Sequence, residues 1–208
     1  MSNQSAFHQT DGLVMDKALH ASLKGVLFVL VGPGGVGKNA VMGKVEERVP
    51  IEQLPTATTR APRPGEVEGV HHFFVSVEEF KRMIAANELI EYQEVYPGKY
   101  YGTPRKALER ALEQGKTLIA DIDMYGARAL KHTFPFNVIL IFVEPPGMET
   151  LEERLRQRQG ITEQEIRARI QRAPMEMDFA RECDYRVVND DLEKCVAAVI
   201  SIIQADSR

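Results

Sequence analysis

The residues best suited to chemistry form one short run, Gly32-Pro33-Gly34-Gly35-Val36-Gly37-Lys38-Asn39. Its spacing follows the phosphate-loop pattern G-x-x-x-x-G-K-[ST], with Asn39 standing where a hydroxyl residue is usual. Glycines let consecutive backbone N–H groups turn toward one anion. A helix N-terminus adds partial positive charge beside them. Lys38 supplies a full charge able to follow the β- and γ-phosphates of a nucleoside triphosphate. The plainer reading is a glycine-rich turn with a solvated lysine. Against it stands the context, because the apolar run Val26–Val31 precedes the loop and a helical stretch, Val41 to Arg48, follows it.

Other stretches could bind anions or cations. Thr56 to Glu66 holds Arg60 and Arg63 among prolines and hydroxyls, and arginine presents a planar fork to phosphate oxygens. Solvated arginines on a surface turn are the bland counterpart. Asp121 and Asp123 end the apolar run that begins at Thr117. In open parallel sheets ligands collect at the carboxyl ends of strands, which would suit these carboxylates to Mg²⁺ or a donor-rich ligand. Either could equally cap a helix starting near Met124. In the arginine-rich stretch from Thr150 to Ala180, Glu152–Arg156, Glu163–Arg167 and Glu165–Arg169 have the i,i+4 spacing of solubilising pairs. Arg154 and Arg158 have no such preceding glutamate and are the better phosphate candidates. His71 and His72 are adjacent, so on a strand they face opposite ways, which argues against a shared metal.

These residues need a scaffold, and the chain supplies an α/β one. Its 208 residues are 44% hydrophobic and 27% charged, a globular composition. Strands are expected at Gly25–Val31, Val70–Val77, Leu89–Val95, Thr117–Asp123, Asn137–Val143 and Tyr185–Val188. Helices are expected at Glu78–Ala86, from Thr103 as cap through Pro104 to Gly115, at Thr150–Gln159, at Thr162–Ala180 with Pro174 kinking or interrupting it, and at Leu192–Ile203. Strands alternating with helices after the glycine loop predict a three-layer α/β fold. Two segments, about 55–105 and 147–178, break the alternation as insertions.

A net charge of −4 gives no broad electrostatic case for nucleic acid. No apolar run reaches the ~20 residues of a membrane span. Cys183 and Cys195 lack metal-ligand spacing and suit a reducing, cytoplasmic setting. Residues 1–24 read as a flexible extension, with a short helix around Val14–Leu23.

From Gly25 onward the chain resembles guanylate kinase. The resemblance rests on Thr58-Thr59-Arg60-x-Pro62-Arg63-x-Gly65-Glu66, on Phe74-Val75-Ser76-Val77-x-Glu79-Phe80, and on Tyr100-Tyr101-Gly102. Further matches are Asp121-Ile122-Asp123-Met124-x-Gly126, Arg154-Leu155-x-x-Arg158 with Arg169 and Glu176, and Val188-Asn189-Asp190-Asp191-Leu192. It implies a P-loop kinase fold with core 25–54, 106–146 and 179–208, a GMP-binding sub-domain 55–105 and a lid 147–178. It also implies ATP-dependent phosphorylation of GMP to GDP with Mg²⁺, in the cytoplasm, by a monomer or homodimer, with neither nucleic acid nor membrane as partner.

Roles follow by the same resemblance. Gly32 through Asn39 and Asn189 would bind ATP, with Asn189 near the adenine. Thr56, Arg60, Arg63, His72 and Tyr101 would hold the GMP phosphate, and Glu91, Thr103 and Asp123 would read guanine. Lys38, Arg154, Arg158 and Arg169 would stabilise the transferring phosphoryl group, and Asn39 and Asp121 would serve Mg²⁺.

The chain departs from the family pattern at Asn39, at Ala40 and Gly34, which lack common hydroxyls, at His72 in place of a tyrosine, and at Tyr125 in place of a glutamine. Two other readings therefore stay open. One is a catalytically impaired module that binds a phosphorylated protein. The other is a kinase for a different small phosphorylated acceptor.

Overall fold

The structure is a computed structural model describing residues 23–158 and 160–207. The expected short helix at Val14–Leu23 and nearly all of the expected extension lie outside the described residues. Leu23 is buried, and its carbonyl accepts a hydrogen bond from Asn137 Nδ2 at 3.2 Å.

In order, the elements are β1 (Val26–Val31), α1 (Lys38–Glu46), β2 (Glu52–Gln53), β3 (Thr56–Thr58), β4 (His72–Phe74), α2 (Val77–Ala85), β5 (Leu89–Tyr96) and β6 (Lys99–Pro104). There follow α3 (Arg105–Glu113), β7 (Thr117–Asp121), α4 (Met124–Thr133), β8 (Val138–Glu144), α5 (Met148–Gln157), α6 (Glu163–Asp178), a 3₁₀ turn (Phe179–Glu182), β9 (Tyr185–Val188) and α7 (Leu192–Asp206). One sheet has the order β2-β7-β1-β8-β9 and a second the order β4-β3-β6-β5. Every residue of β1 is buried, as the unbroken apolar run requires of a central strand. β8 and β9 pair in parallel, Ile141 opposite Tyr185. None of the described helices is long and apolar enough to cross a membrane.

The chain clusters into two compact units. The first gathers Glu52–Leu118 and Arg128–Val138 with the segment ending at Leu27. The second gathers Phe28–Ile51, Ile119–Ala127 and the chain from Ile139 onward.

Helix ends follow local chemistry. Ser76 Oγ accepts from the Glu79 N–H at 3.1 Å and starts α2. Thr162 and Glu165 form a reciprocal capping box on α6, and Asp191 caps α7 through the Lys194 N–H. Asn87 ends α2 at φ 53°, the left-handed conformation that asparagine tolerates.

Three expectations need correction. Tyr100–Thr103 belongs to a strand, β6, so Thr103 does not cap α3; Pro104 occupies the cap position, and no side chain bonds there. The two-residue β2 and three-residue β3 are too short to leave a periodic signal. Helix α6 runs through Pro174 without a break. Pro174 is exposed, so water can satisfy the carbonyl whose helical donor the proline removes.

The second sheet is held by a small core in the first unit. Ala57, Phe80, Leu89 and Tyr92 are buried together, with Phe73, Val75, Met83, Ile84 and Tyr100 against them. The Phe80 ring stacks on Tyr100 at 5.2 Å and meets Tyr92 edge-on at 6.4 Å. Truncating so large a buried side chain costs about 3–5 kcal/mol. Phe80→Ala should lose stability of that order in urea denaturation. A loss below ~1 kcal/mol would mean the sheet does not depend on this ring.

Candidate functional site

In the second unit, the loop after β1 is built by close approach. Gly32 has φ 146°, and a Cβ there would collide with the Val143 carbonyl, so only glycine fits. Gly37 sits at the N-cap of α1 in the left-handed conformation, φ 102°, and a Cβ would lie 2.7 Å from Asn189 Nδ2. Asn189 is 4% exposed, and its Nδ2 donates to the Val36 carbonyl at 2.8 Å. Arg154 Nη1 donates to the Asn189 carbonyl at 2.8 Å and to Val36 at 3.4 Å, while Nη2 reaches Asp190 at 3.4 Å. Thus the amide expected near an adenine is packed against the loop, and the first expected phosphate arginine is engaged with three carbonyls.

Lys38 Nζ donates to the Gly32 carbonyl at 2.7 Å and lies 3.6 Å from Asp121 Oδ1. Burial pushes the Asp121 carboxyl above its usual range, and the lysine pulls against that shift. Asn39 is exposed on the first turn of α1. Asp123 Oδ1 accepts from the N–H groups of Tyr125 and Gly126, both at 2.9 Å, so it caps α4, the alternative open at the level of sequence. Helix α6 also reaches this loop. A Cβ on Gly34 would come 3.0 Å from Arg169 Nη1. Glu176 accepts from the Gly34 N–H and pairs with Arg172 at 3.1 Å; burial raises its carboxyl above the ordinary range. Arg158 ends α5 as an exposed residue.

The first unit holds a separate cluster. Arg60 clamps Glu66 with both terminal nitrogens at 2.5 Å, and its Nε donates to the Tyr101 hydroxyl at 3.0 Å. The guanidinium lies 5.7 Å from the Phe74 ring centroid. The Arg60 fork holds the Glu66 carboxyl down at about 2. The backbone N–H of Arg63 also donates to Glu66, at 2.7 Å, while the Arg63 side chain is exposed. Thr56 Oγ1 lies 2.9 Å from His72 Nδ1. The strands fix these groups: Thr56 pairs with His72 across β3–β4, and Thr58 with Tyr101 across β3–β6. Further along β5 and β6, Glu91 is 8% exposed and Thr103 is fully buried, and the Thr103 hydroxyl donates to Glu91 Oε1 at 2.6 Å.

Sequence reasoning missed the anchors. Thr58 Oγ1 donates to the Tyr100 carbonyl at 2.9 Å, and Thr59 Oγ1 to the Gly98 carbonyl at 2.7 Å, while the Tyr100 N–H donates back to Thr59. These bonds tie the arginine loop to β6. It also gave Glu66 no role; a lone acid six residues after Arg60 and three after Arg63 was the available signal. His71 Nδ1 accepts from the Val67 N–H outside the strand, so the two histidines serve different elements. Neither Cys183 nor Cys195 forms a disulfide, and burial pushes the Cys195 thiol up to about 11, unsuited to nucleophilic work.

The oxygen donors fit magnesium. Mg²⁺ takes one or two protein oxygens and completes its shell with water and phosphate. Asp121 and Asn39 offer a carboxylate and an amide of that kind, and no larger acidic cluster exists among the described residues.

Comparison with known proteins draws these features together. The guanylate kinase family model matches residues 24–206. The chain is 45% identical over 183 residues to a guanylate kinase of Synechocystis sp., covering 88% of this chain and 95% of that protein. It is 41% identical over 183 residues to one of Desulfitobacterium hafniense, covering 88% and 90%. The crystal structure of guanylate kinase from Anaplasma phagocytophilum superposes with a TM-score of 0.70 at 34% identity, covering 89% of this chain and 87% of that one. The parallel-core α/β P-loop kinase fold is therefore the fold of this chain, and the chain belongs to the guanylate kinase family.

Proposed function

We infer that this protein catalyses ATP-dependent phosphorylation of GMP to GDP. The observation that carries the reading is the buried Glu91–Thr103 pair on the same small sheet as the Arg60–Tyr101 cluster. A carboxylate accepts side by side from the adjacent N1–H and N2–H₂ donors of guanine. Adenine lacks that donor pair and would leave the buried carboxylate poorly matched. Arg60, Tyr101, Thr56, His72 and Arg63 take the acceptor phosphate in this reading, and Asp123 assists at the base.

On the donor side, the Gly32–Asn39 backbone and Lys38 hold the triphosphate. Lys38 exchanges its Gly32 carbonyl for phosphate oxygens. Arg158 and Arg169 neutralise charge on the transferring group, and closure of residues 147–178 over it excludes water. Asn39 and Asp121 hold Mg²⁺, which supplies charge neutralisation at the phosphates. The GMP phosphate oxygen attacks the γ-phosphorus directly, with no covalent enzyme intermediate. Retention of Lys38, Asp123 and the lid arginines favours an enzyme over a binding module.

A coupled ADP-release assay with Mg–ATP tests the function. GMP should drive release, and AMP should be worse by roughly 10⁴-fold in kcat/KM; no GMP-dependent release would overturn the reading. Asn39 is tested by Asn39→Ser, which shortens the metal ligand and restores a hydroxyl. It should lower the Mg²⁺ concentration needed for half-maximal rate, and an unchanged Mg²⁺ titration would remove Asn39 from the metal site.

Asn189 acts on the donor loop from outside. Its amide holds the Val36 carbonyl and so orients the Val36–Gly37 peptide group of the loop. Asn189→Leu should raise the KM for ATP about tenfold or more, one lost buried hydrogen bond being worth ~1–3 kcal/mol, and leave the KM for GMP within twofold. Equal changes in both constants would show a general loss of structure instead.

A further inference from the structure

Resting on the GMP-site reading, one feature of this chain gives the acceptor site a property of its own. His72 is 15% exposed and held on several sides. Its Nδ1 faces Thr56, whose hydroxyl lies 2.9 Å away and whose backbone favours the protonated ring. Its ring meets Phe74 and Tyr101 edge-on at 5.6 and 6.2 Å. The remaining nitrogen, Nε2, lies 3.9 Å from Glu66 Oε1, the oxygen that Arg60 clamps. Nε2 is therefore the one ring atom turned toward the anion position. With Nδ1 donating to Thr56, a neutral ring presents a lone pair there, which repels a phosphate oxygen; a protonated ring presents an N–H.

We propose that His72 couples GMP binding to proton uptake: the neutral imidazole takes a proton at Nε2 when the nucleotide phosphate dianion docks beside Arg60, and donates it as a hydrogen bond to that phosphate.

The surroundings supply the direction. Burial, then Arg60, with a smaller push from His71, hold His72 below the ordinary histidine range, while Glu66 and Thr56 pull the other way. Tyr101 faces the ring from β6, and Glu68 is tied to the Phe74 N–H at 3.0 Å on the strand's other flank. The free site is therefore neutral at His72 at pH 7.5. A dianion within ~4–6 Å raises a histidine by about 1–3 units, which drives proton uptake as it docks. Linkage then fixes the sign. Affinity is highest below the free-site value, falls by up to about tenfold per pH unit between the free and bound values, and is flat above the bound value. The nucleotide's own second phosphate ionisation, near pH 6, has the opposite sign, proton release, and is essentially complete in free GMP at pH 7.5, so it does not produce the uptake.

Isothermal titration of the full chain with GMP at pH 7.5, in buffers of differing ionisation enthalpy, tests the idea. The slope of observed enthalpy against buffer enthalpy should report uptake of roughly 0.3–1 proton. His72→Tyr, which keeps a hydrogen-bond donor, should bind GMP with a slope near zero and a flat affinity from pH 7 to 8.5. Glu66→Gln controls for the other group able to take the proton and should keep the uptake. GMP binding with no buffer dependence overturns the proposal and leaves the GMP site standing, as does uptake that survives in His72→Tyr or vanishes in Glu66→Gln. Absence of GMP binding in the unaltered chain overturns the site reading itself, and the proposal with it. Circular dichroism melts of both variants separate these outcomes from misfolding.

Discussion

The phosphate loop depends on where one carbonyl points. A peptide group has two opposed ends, so fixing the Val36 C=O fixes the Gly37 N–H pointing the other way, while the Val36 N–H donates to the Pro33 carbonyl at 3.1 Å. Val36 C=O is claimed by Asn189 Nδ2 and, more weakly, by Arg154. Gly37 can sit against that amide only because it lacks a Cβ. The loop's shape is therefore imposed by β9, α5 and the turn into α7 as much as by its own glycines. Asn189 is in turn positioned through its backbone, with its N–H on the Glu144 carbonyl at 2.8 Å and its carbonyl on Arg154. Three distant stretches of chain meet at one peptide group, which is why the closing Asn189-Asp190-Asp191 run matters to a loop 150 residues earlier.

The small sheet solves a different problem, that of holding an arginine still. An arginine side chain carries about 2 kcal/mol of rotamer entropy. Here the cost of ordering Arg60 is met before any ligand arrives, by Tyr101, Glu66 and the Phe74 ring. The threonine hydroxyls of the Thr58-Thr59 pair fix the loop's first residues to β6. Glu68 and Arg63 complete the loop through backbone N–H bonds rather than through side-chain ion pairs.

Much of this was legible in the sequence where the signal is local. The glycine loop and the fully buried β1 each announce themselves over a few neighbouring residues. The short strands β2 and β3 did not, because two or three residues establish no period, and their identity comes from pairing partners far along the chain. Thr103 was misread for a related reason. A threonine before a proline looks like a cap locally, yet its hydroxyl is spent on Glu91, twelve residues back and opposite it in the sheet. Arg154 was singled out because it lacks a glutamate four residues earlier, but what occupies it, carbonyls at 36, 189 and 190, leaves no trace in its own neighbourhood. The mutual placement of Arg60 and Glu66 was within reach, since both lie on one loop with the right spacing.

The Glu66 carboxylate on the Arg60 fork has a consequence for selection. If the acceptor phosphate docks at the Arg60 fork, as proposed, Glu66 is a resident anion there, and an incoming group would have to displace it or share the fork. A monovalent anion gains little by the exchange, since it replaces like with like. A phosphate dianion brings twice the charge and a third oxygen, and so wins. A nucleoside with no phosphate has nothing to exchange and meets an already satisfied arginine. On that reading the internal ion pair would act as a threshold on ligand charge, favouring nucleotides over nucleosides without contact to sugar or base.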